Sequence, residues 1–252
     1  GACVGVLAGM LGIGGGLVIV PALVFLLPLT DTPAQYFMPI AIATSLASII
    51  ITSSSAALMH RKNGNVPWLE TKKVLVFISI GSLIGALIAS SLPADVLKKI
   101  FAVFVIFIAS YMIASLKVER KEITASDATY RTIGGLTGVI ASILGIAGGA
   151  ILVPALSYFG TPIRKAIGMA TVCGVFVAIF GVVGFVYTGW GNTALPAWSL
   201  GYVYLPALLG IVLTSAFFAP IGVKLAANLP VATLKKFFAG FLILVALKMM
   251  FG

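Results

Sequence analysis

The chain has 252 residues, of which 61% are hydrophobic and 9% charged, with a mean hydropathy of +1.19; a soluble domain is about 45–50% apolar and about 25% charged. Those values exclude a water-soluble globular fold and mark an integral membrane protein. The net charge of +10 would point to nucleic acid in a soluble chain, but the sixteen Lys and Arg lie almost wholly between apolar runs, which is a membrane-topology pattern.

Eight apolar segments follow one another, roughly 2–30, 34–59, 73–92, 96–116, 132–160, 163–187, 201–226 and 231–251. They have helix length and lack the period-two alternation of an outer-membrane barrel, so the expected class is an all-α polytopic membrane protein. The first segment has no basic n-region or clear cleavage site and has a counterpart later in the chain, so it reads as mature structure rather than a signal peptide. Cys3 and Cys173 stand singly in apolar segments, without the spacing of a disulfide framework or a metal site, and read as packing residues.

The first segment contains GMLGIGGGLVIVP, from Gly9 to Pro21. About 133 residues later Gly12, Gly15, Gly16, Val20 and Pro21 recur as Gly145, Gly148, Gly149, Val153 and Pro154. Thr32-Pro33 recurs as Thr161-Pro162, and Leu92-Pro93 with LKKIFA from Leu97 as Leu229-Pro230 with LKKFFA from Leu234. The chain is thus two four-segment repeats, 1–116 and 132–252, joined by a polar linker over 117–131 expected to be cytoplasmic.

Each glycine-centred segment is about 29 residues long, with the break near its middle. A half of about a dozen residues reaches only the bilayer midplane, so the segment is either a broken crossing helix or a re-entrant hairpin. Charge separates the two. If all eight segments cross, the two sides carry 9 and 7 basic residues; if the glycine segments are hairpins, they carry 13 and 3, the three being Lys98, Lys99 and Lys248. The positive-inside rule selects the hairpins, with the basic loops cytoplasmic and both chain ends outside. Three crossings per repeat then invert the second repeat relative to the first. Tyr187, Trp190, Trp198, Tyr202 and Tyr204 become an external interfacial belt.

A chain break at mid-depth must line an enclosed or wet cavity, because an unpaired backbone group in hydrocarbon is costly. Gly14, Gly15, Gly16, Ala147, Gly148 and Gly149 are therefore candidate substrate contacts, each break being followed by a half-helix whose free N–H groups attract an anion. The plainer reading of such glycines is close helix packing. No Asp, Glu, Lys or Arg falls near the middle of an apolar segment, so hydroxyl donors are needed, and Thr44, Ser45, Ser48, Thr52 and Ser53 on the second segment can supply them. Local bonding to the i−4 carbonyl is the alternative role for Ser53 to Ser55. His60, the only histidine, is a candidate for gating or proton carriage, against a plain interfacial position. GxSxG and HExxH are missing, which points away from an intramembrane hydrolase, and nothing calls for a metal or cofactor.

The run GxxxGMLGIGGGxxxVPAL from Gly5, IATSL from Ile42, HRKNGNVPW from His60 and the LP…LKKIFA block together resemble the TauE/SafE family of sulfite and organosulfur anion exporters. The resemblance implies a bacterial-type inner-membrane permease for sulfite, sulfonates or related small organic anions, with the glycine segments and the Thr-Ser pair as substrate contacts. The second repeat departs from the family pattern: Ala166-Ile167-Gly168 is followed by Met169-Ala170, and Ala147 stands at the position of Gly14. Thr171 and Cys173 are the partial substitutes, and an asymmetric site is expected. The expected activity is export of a small sulfur anion; an anion channel, a permease for another organic anion and a membrane scaffold without transport are the alternatives. Coupling and oligomeric state stay open at this point.

Overall fold

A computed structural model describes residues 15–30, 32–114, 126–227 and 231–251. Nine α-helices, two single-turn 3₁₀ helices (Leu27–Leu29 and Ala34–Tyr36) and one short hairpin lie in these residues. The first repeat contributes α1 (Gly16–Leu26), α2 (Phe37–Lys62), α3 (Trp68–Ser91) and α4 (Ala94–Ala114). The second contributes α5 (Asp127–Leu144), α6 (Gly149–Tyr158), α7 (Ile163–Gly189), α8 (Leu205–Ala227) and α9 (Val231–Phe251). Between α7 and α8, β1 (Ser199–Leu200) pairs antiparallel with β2 (Val203–Tyr204), a feature the all-α expectation lacked.

Length separates the helices into two kinds. The segment containing α2, together with α3 and α7, is long and apolar enough to cross a membrane, and α4, α8 and α9 have 21, 23 and 21 residues; about 20 suffice. By contrast α1 and α6 have 11 and 10 residues. The helix before the second break, α5, has 18 rather than the expected dozen. Its extra turn is polar: Ser126 caps it by accepting the Thr129 N–H at 3.2 Å, and Asp127 pairs with Lys73 at 2.6 Å. The helix therefore begins inside the stretch read as linker.

Helix order in space is set by a few close contacts. α5 runs parallel to α3, with Arg131 over the Phe77 ring, Gly138 against Ile78 and Gly85 against Val139. The small residues let the two backbones touch, which is how helices associate where water supplies no driving force. α7 runs antiparallel to α2, with Gly181 facing Leu46 and Gly168 facing the Asn65 carbonyl. One end of the bundle thus gathers the 60–68 loop and the starts of α3, α5 and α7. The other gathers Ala34–Tyr36, the α3–α4 turn and the 189–204 loop.

The centre is apolar and close-packed, with Met38, Ile40, Ile42, Leu46 and Ile49 of α2, Ile78 of α3 and Phe185 of α7 fully buried. Large apolar side chains also face outward, including Val76, Ile80 and Ile84 of α3 and Val103 and Phe107 of α4, as a lipid-facing surface requires. The residues of the expected aromatic belt do not share one environment. Tyr187, Trp190 and Trp198 are exposed, whereas Tyr202 is buried and Tyr204 half-buried, because the hairpin folds them back onto α2 and α7.

Candidate functional site: two helix breaks in contact

The two breaks have one backbone conformation. Gly15 has φ 75° and ψ −9°, Gly148 φ 72° and ψ −12°, and each is the residue before a short helix. These left-handed values strain any residue with a Cβ, which explains glycine at both places. In each, the two N–H groups three and four residues on bond the glycine carbonyl: Val18 and Ile19 to Gly15, both at 2.9 Å, and Ile151 and Leu152 to Gly148 at 3.1 and 2.8 Å. Pro21 and Pro154 occupy the same helical position. The helix entering the second break ends at Gly145, φ 69°, where the Ile146 N–H bonds the Ala141 carbonyl at 3.0 Å.

The breaks meet. A Cβ on Gly16 would stand 2.5 Å from the Gly145 carbonyl oxygen and 2.9 Å from the Ile146 Cα, so backbone lies on backbone with no room for a side chain. On the far side Gly145 faces Val20 of the first repeat and the Ile42 backbone. Gly14 lies outside the described residues.

The predicted hydroxyls of α2 divide among three tasks. Ser45 Oγ donates to the Gly145 carbonyl at 2.8 Å, carrying the first repeat's donor into the second repeat's break. Thr44 Oγ1 accepts the Tyr204 N–H at 3.0 Å, and Ser48 Oγ donates to the Ser45 carbonyl at 2.7 Å. All three residues are fully buried. Thr52 Oγ1 back-bonds to the Ser48 carbonyl at 3.2 Å. In the second repeat Ala147 packs against Gly174, whereas the Thr171 hydroxyl donates to the Ile167 carbonyl of its own helix at 2.7 Å. His60 is half-buried at the basic end of α2, fifteen residues and about 22 Å along the helix from Ser45. Its ring is therefore remote from the breaks.

Two further hydroxyls escaped the sequence reading. Thr137 and Ser142 of α5 are 1% and 0% exposed, and neither oxygen has a hydrogen-bond partner among the described residues. The Thr137 methyl lies 3.2 Å from where a Gly148 Cβ would stand. Ser142 Oγ and Ser82 Oγ flank Gly181 at 2.9 and 3.2 Å from its Cβ position, and Ser82 donates to the Val177 carbonyl at 2.6 Å. The available signal was a pair of hydroxyls eight and three residues before Gly145, in the apolar part of the arm.

Electrostatically the site is neutral. Among the described residues no charged side chain is buried. The N–H groups of Gly149 and Ala150 bond no acceptor among the described residues, as the first turn of a helix requires. The region therefore offers partial positive charge and hydroxyl donors, with no fixed countercharge.

Comparison with known proteins identifies the family. The family described as Sulfite exporter TauE/SafE matches residues 1–249. A probable membrane transporter protein of Haemophilus influenzae is 44% identical over 250 residues, covering 99% of this chain and 95% of that one. A probable membrane transporter protein of Methanocaldococcus jannaschii is 27% identical over 231 residues, 89% of this chain and 83% of its own. No solved structure matches the chain. With its apolar helices and this match along nearly its whole length, the chain is a multi-pass membrane protein that belongs to the TauE/SafE sulfite exporter family.

Proposed function

We propose that the protein is a membrane transporter that exports small sulfur-containing anions, such as sulfite or a sulfonate, through a site framed by the two glycine breaks. The family description and the relatives' names support transport. The observation that carries the site is the contact of Gly16 with Gly145 and Ile146, cross-linked by Ser45. Duplicated breaks that merely eased packing have no reason to converge on each other.

The same contacts support the hairpin topology. Both α5 and α7 start at the bundle end that holds the 60–68 loop, so the chain from Asp127 to Ile163 leaves that end and returns to it. The α1 chain leads instead to Tyr36, at the other end. This arrangement fits two hairpins entering from opposite faces with their tips touching, and the basic loops are then cytoplasmic.

Chemistry favours a small oxyanion. A helix N-terminus contributes about 0.3–2 kcal/mol to an anion, less than the several kcal/mol lost on dehydration. Hydroxyls must supply the remainder, and those of Thr137 and Ser142 are unengaged among the described residues. Full burial of Thr44, Ser45 and Ser48 fits an occluded carrier rather than a continuous pore.

Flux into proteoliposomes tests the reading with sulfite, sulfoacetate and lactate as substrates. Saturable flux of a sulfur anion is expected, and its absence for every sulfur anion rejects the proposal. Topology has a separate test: cysteines placed at Ser126 and Asn192 should react with an impermeant reagent from opposite sides.

A further inference from the structure

A cavity of about 540 Å³ lies at the end of the bundle away from the basic loops, between the start of α2 and the α3–α4 turn. Gln35, Tyr36, Ser90, Ser91 and Tyr202 give it polar walls, and Lys98 is its cation. Lys98 is one of only three basic residues that the hairpin topology leaves off the cytoplasmic side, where the positive-inside rule disfavours them. A half-buried lysine retained there, and turned into a cavity, calls for a role. One carboxylate also borders the cavity, Asp95, one turn before Lys98. Asp95 is exposed, so solvent screens its charge more than that of the half-buried ammonium.

The cavity connects to the breaks through one structural element. Tyr202 is 7% exposed, with its ring centroid 6.2 Å from both Tyr36 and Phe185. Burial, then the neighbouring Tyr36, push its phenol above the ordinary value, so it remains a neutral group. Two residues on, the Tyr204 N–H bonds Thr44, the neighbour of Ser45. The hairpin thus has one side chain in the cavity wall and one backbone group on the α2 hydroxyl row.

We propose that this cavity is a second binding station for small oxyanions, with Lys98 as the charged contact and the Tyr36–Tyr202 pair separating it from the breaks. The placement on a path rests on the transport reading above; the anion site itself does not. An ammonium is a point charge that recognises charge rather than shape, so the station accepts sulfonate and carboxylate alike and selection falls to the breaks.

The test uses full-length protein in which Cys3 and Cys173 are replaced by alanine and Ser91→Cys reports on the cavity. The ratio of its modification rates by a negatively and a positively charged methanethiosulfonate reagent reads the local potential. Lys98→Gln should lower that ratio about tenfold and Lys98→Arg should preserve it. Sulfoacetate, which does not react with thiol reagents, should slow modification by an uncharged reagent with Lys98 present and fail to do so in Lys98→Gln. A ratio indifferent to Lys98, or the absence of protection, overturns the station even if sulfite flux is normal. If the wild type moves no sulfur anion while ratio and protection behave as expected, the transport reading falls and the anion site stands.

Discussion

At Gly15 and at Gly148 the chain makes the same turn, and each begins a short helix with proline at its sixth residue. The long helices beyond them differ. Aligned on Thr32-Pro33 and Thr161-Pro162, the positions of Thr44, Ser45 and Ser48 in the first repeat are Cys173, Gly174 and Val177 in the second. Before the breaks the imbalance reverses: Thr137 and Ser142 correspond, at the 133-residue spacing, to Val4 and Gly9. A duplicated backbone therefore does not carry duplicated chemistry. The first half of the chain carries hydroxyls after its break and the second half before its break, so the proposed site would draw donors from both halves on unlike elements.

The largest effect is expected where the breaks interlock. Gly16→Ala puts a methyl 2.5 Å from a backbone oxygen of the other repeat; overpacking of this kind costs about 1–3 kcal/mol. The purified protein should melt at a lower temperature and its flux should fall below about a tenth of wild type. Gly148→Ala has more room, its nearest neighbour being a methyl at 3.2 Å, and its cost is the left-handed backbone, about 1–2 kcal/mol. Wild-type melting and flux in Gly16→Ala would dissolve the interlock.

Next comes the hydroxyl asymmetry. Ser45→Ala removes the donor to the buried Gly145 carbonyl, a loss of about 1–3 kcal/mol. Thr171→Ala removes only a bond to its own helix, and its stability should stay within about 0.5 kcal/mol of wild type. Equal losses of flux and stability in the two variants would show that the repeats contribute alike, against the comparison.

Thr137→Val and Ser142→Ala sharpen it in the opposite direction. Each removes a buried hydroxyl without a partner among the described residues, so stability should hold or rise by up to about 1 kcal/mol. Affinity should nonetheless weaken, with KM for sulfite severalfold higher. Unchanged KM in both would remove the second repeat's hydroxyls from the site. Smallest of all, Asp127→Asn breaks an exposed ion pair at the bundle end; neither melting nor flux should change measurably.

The breaks were legible because their chemistry is local. A glycine pair in an apolar segment, repeated with Val-Pro at a fixed distance, predicts a turn that only glycine tolerates, and the backbone angles at Gly15 and Gly148 agree. Thr44 and Ser45 stood out for a similar reason, as hydroxyls in the middle of a segment without charged residues. Tyr202 and Tyr204 were misassigned because an aromatic run between two helices looks alike whether it lies at the membrane surface or folds back as a hairpin. Thr137 and Ser142 were passed over because Ser and Thr in a membrane helix usually bond their own backbone, and only the surrounding packing shows that these do not.

The sequence by itself determined the membrane class, the duplicated glycine and proline motifs, the places where the chain must break and the absence of charge at mid-segment, since hydropathy, glycine and proline act within a few residues of where they stand. Tertiary structure alone decided that Gly16 rests on Gly145, that Ser45 crosses the repeat boundary and that Lys98 faces a cavity with Tyr202. Those pairings join residues 100 to 129 positions apart in the chain. They depend on how helices with almost uniformly apolar surfaces choose their neighbours, which hydropathy does not encode and close backbone packing at small residues does.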